Sequence, residues 1–471
     1  MMPPPPLKDR CVRVRVPKLP ELDPSLQLDD DGVLPTNCGY FLRNNFVWVD
    51  QALLRKHGLE SLVSRCRLGV TKTRMHRGRL VGSRVVEDFC VSHAQFRLFP
   101  KCFPVPLPFP PKLVLGMGAA LRKGVRFEGA LRTTCRQDRA VKACMDQMLG
   151  SPHGGAVLNL PPGTGKTSCA ICVGAVLGRR FFWLTHTEQL RDQAVSRLAQ
   201  FLPMARVHAF TSKSTEANVD ACDVAVGLMQ SVRNANPRTV RSFGLLVVDE
   251  AHHICATQLR KCLHRFNTRY TLGLTATPER KDGLTRLLFW SVGPVAFSVR
   301  PDYSHMDARV RVVRYSTPPS QGRGGGVHGD RARNRVLLRE VRELLGVGHR
   351  VLILTDRRCH AILLRDSLRD EGVATNLQIG GAQRESLEHA TRDTVRCVCA
   401  TYQLVSEGFD LPWLDALVLA SPKRDIVQSV GRILRTCPNK LSPRIVDVVD
   451  SGGGGSSALS RQRQYSRLGF Q

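Results

Sequence analysis

The sequence predicts an α/β protein built on parallel sheets, and three observations carry the prediction. From Phe127 to about Val299, short apolar runs alternate with helical patterns. A second region of the same kind begins near residue 335 and ends near Asp450. The unusual motifs follow directly on the apolar runs, at the carboxyl ends of strands, where ligands of such sheets bind.

Ahead of these regions lies a smaller N-terminal region. "CVRVRV" at 11–16 alternates like a half-exposed strand, and "NNFVWVDQALLRKHGL" at 44–59 reads as a strand running into a helix. The basic cluster "TKTRMHRGR" at 71–79 is either a nucleic-acid contact or a solvated loop. From Arg97 to Lys112 the prolines exclude helix and central strand, which leaves an extended surface connector.

In the first α/β region, "AVLNL" at 156–160 is a short buried strand, followed by "LPPGTGKT" at 160–167 and an apolar helix, "SCAICVGAVL". Gly163 and Gly165 allow the loop Pro162-Gly163-Thr164-Gly165-Lys166-Thr167 to close round phosphate oxygens, with the backbone N–H groups from Gly163 onward as donors. Lys166 then reaches the β and γ phosphates of a nucleotide triphosphate, and the Thr167 hydroxyl completes the coordination of Mg²⁺. The strict pattern begins with Gly where this chain has Leu160. Further strands are expected at Phe181–Thr185, Asp223–Val226, Gly244–Val248 and Thr271–Leu274. The third delivers "DEAHH" and the fourth "TATPERKDG". Two adjacent carboxylates beside a triphosphate have separate tasks: Asp249 holds the metal shell, and Glu250 orients and deprotonates the attacking water.

The stretch "PPSQGRGGGVHGDRARN" at 318–334 has linker composition. After it come the helix "RVLLREVRELL" and strands at "RVLILT", "VRCVCAT", "ALVLAS" and "RIVDVVD". "SGGGGSS" at 451–457 reads as a flexible joint before a basic tail.

Charge bears on partners. The 471 residues carry 69 Lys and Arg against 40 Asp and Glu, a formal charge of +29, which favours a polyanionic partner with nucleic acid first. The 16 cysteines are scattered through a large chain and read as reduced thiols rather than a disulfide framework. Cys169 with Cys172, and Cys397 with Cys399, read as buried packing in preference to zinc ligands. "MMPPPPLKDR" lacks the apolar core of a signal peptide and no run suits a membrane span, so a soluble intracellular protein is expected, with no membrane partner.

Taken in order, "PPGTGKT", "VVDEAHH", "GLTATPERKDG", "ATYQLVSEGFDLP" and "QSVGRILR" resemble the motifs of superfamily 2 helicases and translocases of the DEAH/DExH type, over roughly Phe127 to Asp450. "GLTATPERKDG" followed by "WSVGPV" is most similar to the XPB-like branch, which includes helicases of large DNA viruses. The resemblance implies two tandem RecA-like lobes. The expected division is an accessory region over 1–125, lobe 1 over 126–305, a linker over 306–334, lobe 2 over 335–450 and a flexible basic tail over 451–471.

It also implies site residues. Lys166, Thr167, Asp249 and Glu250 take the roles already given, while His252 and Thr275, Ala276 and Thr277 couple hydrolysis to movement. From the second lobe, Gly408 and Asp410 line the nucleotide site, Gln428 lies beside the γ-phosphate, and Arg432 and Arg435 match arginine fingers. Strand contacts fall on loops such as "HTEQL" at 186–190, Gln230 and "IGG" at 379–381. Gln137 matches the adenine-reading element, although "LRTTCRQ" lengthens its interval from Arg132. The Arg-Glu-Asp tripeptide used in unwinding by cellular XPB members is absent, so translocation is the firmer expectation.

The expected function is therefore an ATP-dependent DNA helicase or translocase of transcription or repair, with proteins of those processes as candidate partners. Its place would be the nucleus or, for a viral protein, the site of viral DNA transcription or replication. The alternatives are an RNA helicase and a nucleic-acid-binding scaffold whose ATPase has degenerated.

Overall fold

Buried apolar runs become parallel strands here because both faces of each sheet are covered. The computed structural model describes residues 40–43, 46–76, 79–93, 96–107, 112–113, 118–255, 262–280, 282–299, 303, 307–316, 326–380, 393–406, 411–435, 437, 439–450 and 455–470; all counts below refer to these residues. The chain divides into two units near Val299 and Arg300. "CVRVRV" lies outside the described residues.

The first unit opens with β1 (Tyr40–Arg43), β2 (Phe46–Asp50), β3 (Arg67–His76), β4 (Arg79–Asp88), β5 (Val91–His93), β6 (Phe96–Pro100) and β7 (Lys112–Leu113). Strand β2 runs into a helix, Gln51–Lys56, as its sequence predicts; the Asp50 carboxylate accepts the Ala52 N–H at 2.7 Å and caps it. Five strands form one sheet in the order β5-β6-β2-β1-β7, and β3 and β4 form a two-stranded ribbon of their own.

The proline-rich stretch departs from expectation. Its start pairs with β2 as β6, from Phe46 opposite Pro100 to Asp50 opposite Phe96, and the next residues are docked rather than draped. Lys101 is fully buried, donating to the Thr268 and Arg269 carbonyls at 3.0 and 3.2 Å and to Thr271 Oγ1 at 3.0 Å. Burial lowers its ammonium pKa to about 7. Phe103 packs edge-on to Trp290, with ring centroids 4.9 Å apart. Prolines kept the segment from reading as strand, while what fixes it is a lysine satisfied by carbonyls about 170 residues away.

The larger sheet of this unit holds β8 (Gly155–Asn159), β9 (Phe181–Thr185), β10 (Val207–Phe210), β11 (Val224–Leu228), β12 (Leu245–Val248), β13 (Tyr270–Thr275) and β14 (Val295–Ser298). All are parallel, in the order β10-β11-β9-β12-β13-β8-β14. Alternate residues of each strand feed opposite cores. Phe181, Trp183, Leu245 and Val247 pack with the helices Gln137–Gly150 and Lys166–Leu177, whereas Phe182, Leu184, Leu246 and Val248 share a core with the N-terminal sheet.

In the second unit, β15 (Arg309–Tyr315), β16 (Val351–Thr355), β17 (Thr375–Gln378), β18 (Cys397–Thr401), β19 (Ala416–Leu419) and β20 (Arg444–Asp450) form a parallel sheet in the order β15-β20-β19-β16-β18-β17. The span 306–334, read from sequence as linker, thus contains an edge strand, and the helix Arg331–Gly346 starts inside it. "RVRVVRY" is largely exposed, as an edge strand with charged residues should be, and its polarity hid it.

The tail differs too. Residues 455–467 form a helix whose Arg461 is 2% exposed, with Nε 2.8 Å from Asp447 Oδ2 and an Nη1 donating to the Lys423 carbonyl at 2.8 Å. The Tyr465 hydroxyl lies 3.1 Å from the same carboxylate oxygen. Gln464 accepts the Ile426 N–H at 3.1 Å and donates to the Arg424 carbonyl at 2.7 Å, so the helix holds residues 423–426 just ahead of the helix Val427–Ile433. An arginine read as part of a flexible basic tail is instead the partner of a carboxylate inside the sheet.

Removing one member of a buried pair leaves the other charge stranded. Arg461→Ala should therefore destabilise the second unit by about 3–5 kcal/mol in urea unfolding, with Arg461→Lys losing less. A change below about 1 kcal/mol would mean that the ion pair does not hold the tail.

Candidate functional site

The parallel strands bring three sequence segments to one edge of the first unit. After β8 the chain turns at Leu160, whose N–H donates to the Thr275 carbonyl at 3.1 Å. The loop that follows needs glycine at two places: Gly163 and Gly165 have φ of 81° and 92°, in the left-handed region. At Gly165 a Cβ would also lie 2.2 Å from Gln137 Nε2. Gly165 precedes the helix Lys166–Leu177, whose first-turn N–H groups and dipole suit an anion. Pro162 and Thr164 lie in this loop, Thr167 lies in the first turn, and the Lys166 ammonium reaches back to the Leu160 carbonyl at 3.2 Å.

Gln137 fastens this loop from outside. It is 1% exposed at the start of its helix, after Arg136 in the left-handed region at φ 55°. Its Oε1 accepts the Arg132 N–H at 2.8 Å and its Nε2 donates to the Thr164 carbonyl at 2.7 Å. Both ends of the amide are thus engaged with the chain, and the role on display is positioning of the loop.

Strand β12 delivers the carboxylates. Asp249 is 8% exposed, its N–H bonded to the Leu184 carbonyl at 2.9 Å and its Oδ1 accepting the Glu250 N–H at 3.0 Å. Burial, then the neighbouring Glu250, pushes its carboxyl above the usual range, while Lys166 pulls it down. Glu250 itself has φ 44°, a conformation that costs a residue with a Cβ about 1–3 kcal/mol and that collects at functional sites. Its Oε2 is buried without a hydrogen bond, and His252 Nδ1 lies 3.5 Å away.

His252 is tied to the third segment. Its Nδ1 is 3.2 Å from Thr275 Oγ1, which accepts the Thr277 N–H at 3.1 Å. Burial, then His253, Arg280 and Lys166, lowers its pKa to about 3, so the ring is neutral at ordinary pH. Since Thr275 Oγ1 accepts the Thr277 N–H, its own proton can go to an unprotonated Nδ1, which assigns the ring proton to Nε2. Ala276 lies between the two threonines.

Two participants were quoted only inside longer stretches, Arg280 in "TATPERKDG" and His186 in the strand-contact loop "HTEQL", without the contacts found here. Arg280 donates to the His252 carbonyl and pairs with Asp282, closing "TATPERKDG" onto "DEAHH". His186, just after β9, packs against His253 with ring centroids 4.1 Å apart and planes tilted by 33°, and His253 packs against His252 at 4.2 Å with a tilt of 37°. Burial lowers the His186 pKa to about 4.

In the second unit, Gln428 and Arg432 lie on the helix Val427–Ile433, with Arg432 9% exposed and Arg435 two residues beyond the helix. Gly408 and Asp410 lie outside the described residues, as does Lys281. The expected strand-contact positions also fall at strand ends: Thr187 caps the helix Glu188–Phe201, Gln230 is exposed after β11, and Ile379 and Gly380 follow β17. Among the described residues there is no cluster suited to hold a metal through His, Cys, Asp and Glu alone, and no helix long and apolar enough to cross a membrane. Cys169, Cys172, Cys397 and Cys399 are buried free thiols.

Residues 131–280 match the family model described as type III restriction enzyme, res subunit. A protein of Acanthamoeba polyphaga mimivirus that carries the provisional name ATP-dependent RNA helicase is 28% identical over 319 residues, 63% of this chain and 60% of its own length. A provisionally named helicase of Escherichia phage T5 is 26% identical over 329 residues, 67% of this chain and 72% of its own. In fold, Saccharomyces cerevisiae Dbp5, solved bound to RNA and ADP BeF3, superposes with a TM-score of 0.53 at 18% identity, covering 71% of this chain and 87% of that one.

Two parallel sheets flanked by helices, with a smaller N-terminal region, are the tandem RecA-like lobes of helicases. The matched segment and the viral relatives support a superfamily 2 helicase.

Gln137→Ala removes both bonds that brace the loop. With about 1–3 kcal/mol at stake, binding of a fluorescent ATP analogue should weaken by roughly tenfold or more while the circular dichroism spectrum is unchanged. Unaltered affinity would show that the loop keeps its shape without the brace.

Proposed function

We propose that this chain hydrolyses ATP to move along DNA, as a superfamily 2 motor of the XPB-like branch serving transcription or repair. The observation that supports this most is the Glu250 carboxylate, whose Oε2 is buried without a hydrogen bond on a left-handed backbone, next to Asp249. A dry, unpaired carboxylate oxygen is costly, and it has a use where a water must be deprotonated.

The residues of the site fit ATP with Mg²⁺: a glycine loop in left-handed conformation, a helix N-terminus and two adjacent carboxylates. On this reading Lys166 and the loop N–H groups bind and neutralise the triphosphate. Thr167 and Asp249 would hold Mg²⁺, which when bound supplies charge neutralisation at the phosphates. Glu250 orients the attacking water and takes its proton. Neutral His252 passes a change at Glu250 to Thr275 and thence to Ala276 and Thr277. Gly408, Asp410, Gln428, Arg432 and Arg435 keep the nucleotide roles that the sequence resemblance assigns them. The net charge of +29 supports binding through phosphates, without a sequence preference.

An RNA helicase is the second reading, favoured by the name of the mimivirus relative. The two separate in parallel assays of triplex displacement, blunt DNA duplex opening and RNA duplex opening at equal ATP. The wild-type chain should displace the third strand of a triplex more readily than it opens a blunt duplex. Lys166→Ala and Glu250→Gln should each bring turnover to background, with Glu250→Gln still binding ATP. Substantial turnover in both variants would remove the assignment of the site, and activity confined to RNA duplexes would replace DNA by RNA.

A further inference from the structure

The ribbon of β3 and β4 has no place in the motor just described. Its strands pair through ten registered positions, from Arg67 opposite Asp88 to His76 opposite Arg79, and join no other strand among the described residues. Its base is anchored: Cys66, Leu68 and Phe89 are buried, and the Phe89 N–H donates to the Cys66 carbonyl at 3.1 Å. One step outward, opposite Gly69, Val86 is 68% exposed. The eight residues from Gly69 to His76 then span about 26 Å, at roughly 3.3 Å per residue.

Charge is distributed unevenly along it. Between Gly69 and Val86 the sequence has five Lys or Arg residues and no acidic one, while Glu87 and Asp88 sit at the anchored base. The register gives the outer cations no carboxylate opposite: Lys72 faces Ser83, Arg74 faces Val81, and Arg84 faces Thr71. Like charges on an isolated two-stranded ribbon lower its stability, so a purely structural hairpin has no reason to collect them.

We infer that this ribbon is a duplex-DNA contact, lying in the major groove with its basic residues against the flanking phosphates. The inference rests on the motor reading for the presence of nucleic acid, and goes beyond it in naming the arm and the duplex form. The B-form major groove, about 12 Å wide, admits a two-stranded β-ribbon, whereas the A-form groove of duplex RNA is too narrow and deep. The arm thereby favours double-stranded DNA over both RNA duplex and single strand.

The test uses the full chain carrying Lys72→Ser, Arg74→Ser, Arg79→Ser and Arg84→Ser together. Binding is followed by fluorescence anisotropy with a labelled DNA duplex, the corresponding DNA single strand and the RNA duplex of the same sequence, over a salt series. Duplex-DNA affinity should fall tenfold or more, with the slope of log K against log[salt] shallower by about 0.9 for each phosphate that the variant no longer neutralises. Single-strand and RNA-duplex affinities should change less than about threefold. A second variant, Arg74→Lys, Arg79→Lys and Arg84→Lys, keeps the charge and should keep duplex binding, and unchanged thermal unfolding of both excludes a folding defect.

Equal losses on all three probes, or a loss confined to the RNA duplex, would overturn the inference. So would unchanged duplex binding in the serine variant of a chain that still hydrolyses ATP and displaces strands, which leaves the motor standing. A wild-type chain that binds none of the three probes would overturn the arm and the motor together.

Discussion

Thr275 is the residue on which the candidate site depends. It is fully buried at the end of β13, which lies between β12 and β8, and its carbonyl and hydroxyl serve different neighbours. The carbonyl receives the Leu160 N–H and so sets where the glycine loop begins. The hydroxyl bridges His252 and the Thr277 N–H. Register makes this possible: Thr275 pairs with Asn159, and Val248 pairs with Gly273 and Leu184, so the strands that carry the three segments end nearly level. A shift of any one strand would separate segments that lie far apart in the chain.

Around that residue the site is braced against its own charges. Asp249 and Glu250 are adjacent carboxylates with little exposure to water, and Lys166 is a cation that offsets the charge of Asp249. The histidines beside them are held neutral by burial, so His186 and His252 add no positive charge that would draw Glu250 into an ion pair. Glu250 is left with an oxygen that no protein group satisfies, on a backbone that only the surrounding structure can hold in place.

How far the sequence disclosed this varies by element. The glycine loop, the carboxylates and the strands before them were legible because each couples a local backbone need to a motif: Gly at left-handed positions, apolar runs buried on both faces, acidic residues at a strand end. What escaped depended on distant partners. Lys101 shows as a lone lysine among prolines until Thr268, Arg269 and Thr271 are placed round it. Arg461 reads as tail charge until Asp447 is found beneath it. Strand β15, with arginines at 309, 311 and 314, has the polarity of a linker because an edge strand needs only one neighbour. The packing of His186 against His253, and of Arg280 onto the His252 carbonyl, shows only when those neighbours are brought to them.

Thr275 connects the carboxylate segment to the 275–277 segment through its hydroxyl while holding the glycine loop through its carbonyl. The Thr275→Val substitution separates these tasks, since it keeps the β-branched shape and the carbonyl and deletes only the hydroxyl. The measurement is ATP turnover of the purified variant with and without duplex DNA, beside its affinity for a fluorescent ATP analogue. The account predicts affinity within about threefold of wild type, as the loop is still held, together with loss of most of the acceleration by DNA, as a bridging hydrogen bond worth roughly 1–3 kcal/mol is gone. Full DNA-stimulated turnover in Thr275→Val would contradict it.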